Sequence, residues 1–167
     1  MRAGVVAARV RRAVRPDAEP VRGVYADAYR ENRELGFPGS AETVTTAEIA
    51  EWIERDSVWV AEAGRAIVGA VRVRVTDGAP VLGRLGVLSA MKGRGIGSAL
   101  MNAAEDEVRR RGCAAILLTV AAEHPFLPQM YRARGYVVVG PRSPQLSRYN
   151  EIVMRKEFRP LRAHAPG

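Results

Sequence analysis

The passage from residue 81 to residue 121 leaves few choices of fold. "VLGRLGVLS" (81–89) reads as a strand. "MKGRGIGSALMNAAEDEVRRRG" (91–112) opens with closely spaced glycines and continues as a patterned helix, and "CAAILLTVA" (113–121) is an unbroken apolar run. A strand, a helix and a strand in that order imply a crossover, which sets the two strands parallel. Ile96, Leu100, Met101, Ala104 and Val108 share one face of the helix. Glu105, Asp106 and Glu107 each precede an arginine by four residues, the orientation that supports a helix, and Gly112 suits its stop. The run 113–121 is expected to be a strand buried on both faces.

The rest of the chain adds hairpins to this crossover. Residues 5–14 alternate near their end as a half-buried strand does. Pro16-Asp17 opens a helix carrying Val21, Val24, Tyr25, Ala28 and Tyr29 at helical spacing, and "LGFPGSA" ends it. Thr45 with Glu48 suits the capped start of a second helix over 45–56. Residues 57–75 read as two strands joined at Glu62–Arg65, with a further turn at Thr76–Pro80. Pro125 and Pro128 fit a short helix running to Gly135, and "YVVVG" and "NEIVMRKEF" are two last strands. The order β-α-α-β-β-β-α-β-α-β-β predicts an α/β (α+β) fold. Its sheet is mixed, mostly antiparallel, with about seven strands and about four helices.

A chain of 167 residues suits one domain, taken as residues 1–158 with a frayed tail at 159–167. No stretch is long and apolar enough to span a membrane, and "MRAGVVAARVRR" makes a poor secretory signal. With one cysteine, Cys113, there is no internal disulfide, and a cytoplasmic location is the expectation. The net charge of +8 favours anionic partners, but the arginines are scattered along the chain, which argues against a nucleic-acid footprint. Two histidines forty residues apart and no ligand cluster give no metal site.

"GRGIGS" (93–98) stands where a helix presents unpartnered N–H groups and the positive end of its dipole. Bare backbone there lets an anion reach the amides, so the segment is either a phosphate cradle or a glycine-rich turn. It lacks the Gly-Lys-Ser/Thr ending of a nucleoside-triphosphate loop. It reads GxGxG rather than GxGxxG and follows the fourth strand rather than the first, which excludes the dinucleotide fingerprint. The two glycines in "VLGRLGVLS" mark either a bulge where something approaches the backbone or a plain bend.

Lys92-Gly93-Arg94-Gly95-Ile96-Gly97 resembles the Gln/Arg-x-x-Gly-x-Gly/Ala loop of the GNAT superfamily of N-acetyltransferases, with lysine in the first place. "HPFLPQMYRARGY" (124–136) is similar to the family's Asn-x-x-Ala-x-x-Leu-Tyr-x-x-x-Gly-Phe segment: His124 stands for Asn, Leu127 for Ala, Met130 for Leu and Tyr136 for Phe. The likeness is firm over 81–140 and weak before that. It implies a sheet that splays at strands four and five, with acetyl-CoA as co-substrate. The backbone of Leu85, Gly86 and Val87 would pair with the pantetheine arm, a glycine leaving room for it. The amides of Gly93, Arg94, Gly95, Ile96, Gly97 and Ser98 would hold the pyrophosphate, with Lys92 adding charge.

The resemblance also implies that Tyr131 protonates the departing sulfur and that the Val87 N–H polarises the thioester carbonyl. His124 would steady the pantetheine, act as a water-mediated base, or be merely structural. The carboxylate base that many relatives carry in strand four or five is absent, since Arg84 and Thr119 are the polar side chains there. Glu31, Glu34 and Glu123 are the stand-ins. The implied reaction is direct acetyl transfer to a primary amine of a small molecule or peptide. The acceptor would sit between the first two helices and the loop after Val138, where Tyr25, Tyr29, Glu31, Glu34, Phe37 and Trp52 would suit a cationic amine. The alternative is a module of the same fold that binds acyl-CoA without turnover. Dimers are common among such proteins, often through the last strands.

Overall fold

The computed structural model describes residues 7–143 and 149–159. The expected strand start at Val5, part of the loop before the last strand, and the tail after Arg159 lie outside them. The elements are β1 (Arg9–Arg12), α1 (Ala18–Glu34), α2 (Thr46–Arg55), β2 (Ser57–Ala63), β3 (Ala66–Thr76), β4 (Ala79–Val87), α3 (Ile96–Arg110), β5 (Ala115–Ala121), α4 (Leu127–Ala133), β6 (Val137–Pro141) and β7 (Glu151–Glu157). The order is the one the sequence implies. Short 3-10 turns at Arg15–Asp17, Ser40–Thr43 and Ser89–Met91 were not foreseen.

The strands form one sheet ordered β1-β2-β3-β4-β5-β7-β6. All neighbours are antiparallel except β4 and β5, which are parallel and meet at a single register pair, Val81 with Leu117. From there the two strands diverge, which is the splay the family resemblance implies. The β2–β3 turn is tighter than expected, because Glu62 and Ala63 remain in the ladder and only Gly64 and Arg65 turn. Asp77 and Gly78 both have positive φ (51° and 78°), as a two-residue hairpin turn requires, so β4 begins at Ala79.

Two apolar layers flank the sheet. On one side α3 lays Ile96, Leu100, Met101, Ala104 and Val108 against Val71, Val73, Ile116 and Leu118. On the other, Val21 and Tyr25 of α1 and Ile49 of α2 pack on Val60 and Ala70. Burial of each such side chain stabilises the fold by about 1.5–3 kcal/mol. β5 differs from the expectation for residues 113–121. Ile116, Leu118 and Val120 are buried, but Thr119 is exposed and Leu117 only half-buried, because the splay opens one face of the strand.

The helix charges also sort differently. Of the three acid–arginine pairs expected on α3, Glu107–Arg111 forms, at 2.8 Å. Glu107 also accepts hydrogen bonds from Ser57 Oγ (3.0 Å) and Trp59 Nε1 (2.9 Å). Glu105 turns inward, where it accepts from the Tyr136 hydroxyl and Lys156 Nζ, each at 2.9 Å. This buried carboxylate clamps α3 to the start of β6 and to β7. Removing one member of such a buried ionic group costs about 3–5 kcal/mol.

Candidate active site

A cleft of about 550 Å³ opens where β4 and β5 part. Its rim is the turn before α3, its floor is β4 and β5, and its sides come from α1 and α4. Asp27 of α1 accepts a hydrogen bond from the Ser89 backbone N–H at 2.7 Å, which holds its carboxyl below the ordinary Asp range and pins α1 beside that turn.

At the rim, Gly95 is the N-cap of α3 with φ 77°, and Gly93 has the same φ. Both take the left-handed conformation that glycine adopts without a Cβ penalty. A Cβ added to either would meet no atom within 4 Å, so the loop is open rather than filled by packing. The backbone amides of residues 93–98 donate to no other described residue; the first helical bond runs from Ala99 N to Gly95 O. Gly93, Gly95, Ile96, Gly97 and Ser98 line the cleft, and Lys92 does too, its ammonium paired with Glu31. Arg94 is exposed and does not line it. Such an arrangement can take an anion: N–H groups without acceptors, the positive end of a helix dipole and the Lys92 ammonium stand together.

β4 supplies the floor. The Leu88 N–H bonds Val68 O at 2.9 Å, so by the alternation of the strand the polar backbone groups of Leu85 and Val87 face the open side. The ladder with β3 slips between Ala70 and Arg72, leaving Arg84 and Leu85 opposite Val71 alone. This bulge carries Arg84 at φ 52°. Gly86 has a different purpose from the one its sequence context suggests. A Cβ there would meet Tyr25 Cδ1 at 3.1 Å and the Ala28 Cβ at 3.2 Å, so the glycine admits α1, not a ligand.

α4 brings Tyr131 into the cleft. Its hydroxyl has no hydrogen-bond partner among the described residues, and burial holds the phenol pKa well above its ordinary value, keeping it protonated. Tyr29 lies near enough across the cleft to add to that shift, and burial pushes its own pKa up to about 12. His124, 6% exposed, uses both ring nitrogens. Nδ1 accepts from the Leu127 N–H at 3.2 Å and the Phe126 N–H at 3.4 Å. The ring's single N–H therefore sits on Nε2, which donates to Asn32 Oδ1 at 3.3 Å. Burial also lowers the ring's pKa. With its lone pair occupied, His124 is a poor base and a good brace between α4 and α1.

The acids sort equally clearly. Glu34 and Glu123 are exposed and do not line the cleft. Glu31 does, paired with Lys92. Glu151, which the sequence reading passed over, also lines it, paired with Arg142 at 2.7 Å. Its only sequence signal was its place at the start of the last strand. Tyr25 and Trp52, proposed as acceptor contacts, are not among the lining residues, whereas Tyr29, Phe37 and Tyr149 are. Cys113 is a half-buried free thiol, and no group of His, Cys, Asp and Glu among the described residues could hold a metal ion. No helix among them is long and apolar enough to cross a membrane.

The family model described as "Acetyltransferase (GNAT) family" matches residues 22–136, more than half of the chain. The chain belongs to the GNAT family. It is an N-acetyltransferase by that membership, and the seven-stranded sheet splayed at β4 and β5 matches the fold of that family. The S-alkylcysteine N-acetyltransferase of Bacillus subtilis (strain 168) is 28% identical over 132 residues, covering 73% of this chain and 74% of that protein. Among solved structures, the PaiA N-acetyltransferase from Thermoplasma acidophilum in complex with coenzyme A superposes with a TM-score of 0.79 at 16% identity, over 91% of this chain and 99% of that one. YncA from Salmonella typhimurium, a putative acetyltransferase solved with acetyl-CoA, gives 0.71 at 20%, over 94% and 97%.

Proposed function

We propose that this GNAT protein moves the acetyl group of acetyl-CoA directly to a primary amine of a small molecule or peptide, both substrates being bound together. The observation that carries the reading is the run of unpartnered amides at 93–98, continuous with the unpaired edge of β4. Those amides hold the pyrophosphate, and the open backbone of Leu85 and Val87, on either side of Gly86, holds the pantetheine arm. That places the thioester between Val87 and Tyr131. His124 braces the cleft around the arm through Asn32 rather than reacting.

The residues then divide the chemistry. The Val87 N–H faces the cleft and stabilises the charge that develops on the carbonyl oxygen. The amine nitrogen forms its bond to the carbonyl carbon as the carbon–sulfur bond breaks. Tyr131, kept protonated, gives its proton to the departing sulfur. Both lining carboxylates, Glu31 and Glu151, are tied in ion pairs, so the amine arrives neutral and sheds its proton to solvent. The name of the Bacillus relative puts S-alkylcysteines first on the panel of acceptors.

Calorimetry with acetyl-CoA and a thiol-release assay over that panel test this reading. Micromolar binding and amine-dependent thiol release are expected, with a rate that climbs with pH towards the amine's own pKa. Absence of binding removes the cradle assignment. Binding without amine-dependent release would leave only a module that captures acyl-CoA.

A further inference from the structure

Two cationic side chains of lysine or arginine line the cleft, and they differ in one respect. Lys92 is neutralised by Glu31. Arg84 has no carboxylate within 4 Å, and every Asp and Glu of the chain lies among the described residues. Its guanidinium instead rests on neutral groups: Nη2 donates to Ser40 Oγ at 2.9 Å, and Cζ stands 5.6 Å from the Trp52 ring centre. Neighbouring arginines are served otherwise, Arg72 by Asp56 at 2.6 Å and Arg142 by Glu151.

The backbone enforces this placement. Arg84 is the bulge residue of β4, at φ 52°, a conformation seldom taken by a residue of its kind. A regular ladder would satisfy the strand without it. The bulge sets the side chain in the cleft lining on the side of α1, from a position on β4 three residues before Val87, where the thioester is proposed to lie. Its positive charge is felt there by Tyr29 and Tyr149, whose phenol pKa values it lowers against the effect of burial. Phe37 and Tyr149, with ring centres 5.4 Å apart, supply an apolar wall in the same part of the cleft.

Resting on the acetyltransfer reading above, we infer that Arg84 is the specificity residue of the acceptor site: it binds the carboxylate of an α-amino acid whose apolar side chain lies against Phe37 and Tyr149. In such an acceptor the amine and the carboxylate share one carbon, so a carboxylate held by Arg84 directs the amine to the adjacent thioester. A guanidinium whose Nε and Nη1 have no hydrogen-bond partner among the described residues can match a carboxylate in plane, and the ion pair replaces the neutral contacts that Arg84 now makes. A purely cationic amine, the acceptor the residues of α1 suggested by composition alone, meets repulsion at this wall.

The test uses matched pairs with the intact protein and acetyl-CoA: S-methylcysteine, methionine, leucine and phenylalanine, each as free acid and as methyl ester. The ester has the more weakly basic amine, so more of it is neutral and chemistry alone favours it. The expected result is the reverse, a kcat/KM for the acids higher on the order of ten- to a hundredfold, carried mainly by KM. Arg84→Met brings the ratio towards one, and Arg84→Lys keeps part of it. Equal or better use of the esters by the wild-type protein overturns the inference, as does an acid preference that survives in Arg84→Met. Should Arg84→Met fail to fold, the wild-type pairs and Arg84→Lys decide. If acetyl-CoA binds and other amines are acetylated but no amino acid is, the inference falls and the acetyltransfer reading stands. If no amine is acetylated, both fall.

Discussion

The two walls of the cleft are built from different materials. The wall at the start of α3 is backbone: glycines with positive φ and amides without acceptors, all within one short segment. The wall on the side of α1 is side chain: Tyr29 and Phe37 from one end of the chain, Arg84 from a bulge in the middle, Tyr149 from near the other end. A site for a group common to many substrates can be made of amides, which every sequence has. A site that must choose one acceptor needs side chains, and the fold has to gather those from distant segments.

The sharpest way to break this contrast is to fill the cradle. Gly95→Val adds a β-branched side chain at φ 77° and crowds the amides on either side. Loss of two charge-assisted hydrogen bonds, each about 1.5–3 kcal/mol, would weaken acetyl-CoA binding on the order of a hundredfold or more. Calorimetry reads this directly, and a variant that binds normally would show that the amides are not the anchor. Tyr131→Phe comes next. Removing the proton donor should lower kcat by about a hundredfold, the lower end for general acid catalysis, while acetyl-CoA affinity holds. Equal loss of both would make the phenol a packing group.

The same contrast explains what could be read from the chain in advance. The crossover at 81–121, the four helices and the open glycine turn before α3 were legible because each rests on spacing within a window of a few turns. The segment 124–136 was legible for the same reason, and Tyr131 does line the cleft. What escaped was set by three-dimensional neighbours. Glu105 looked like one of three exposed helix acids until Tyr136 and Lys156 folded onto it. Glu151 gained its place in the cleft only because β4 parts from β5, and no local pattern reports on a strand that is two neighbours away in the sheet. The bulge at Arg84 left a trace, the two flanking glycines, but that trace did not say which side chain would be turned out.

Gly86 separates the two walls more finely. If its missing Cβ made room for the pantetheine arm, Gly86→Ala would weaken acetyl-CoA binding and leave stability alone. The contacts point the other way, to Tyr25 and Ala28 at 3.1 and 3.2 Å on α1. Neither can retreat cheaply, since Tyr25 is fully buried and the Ala28 Cβ is fixed to the helix backbone. Overpacking of this kind costs about 1–3 kcal/mol. For a chain of this size that lowers Tm by about 3–10 °C. Thermal unfolding followed by circular dichroism, beside acetyl-CoA calorimetry on the same variant, decides between the two.

His124 joins the walls, and its titration gives the smallest effect. The ring caps α4 through Nδ1 and reaches Asn32 of α1 through Nε2, so only its neutral form fits. Burial lowers its pKa below the ordinary 6.5; Glu31 opposes that shift and Lys92 adds to it. A depressed folded-state value means that the unfolded chain binds the proton more readily. The contribution of His124 to stability is therefore complete above pH 6.5 and lost as the pH falls from there through the folded pKa. The loss is at most about 1.4 kcal/mol for each pH unit in that window. Urea unfolding at pH 7.5 and 5.5 should show the wild type losing stability relative to His124→Asn, which keeps a polar side chain but does not titrate. A difference between the two proteins that is the same at both pH values would mean that the brace tolerates the extra proton, and that the walls are joined by packing of Phe37 and Phe126 on the ring instead.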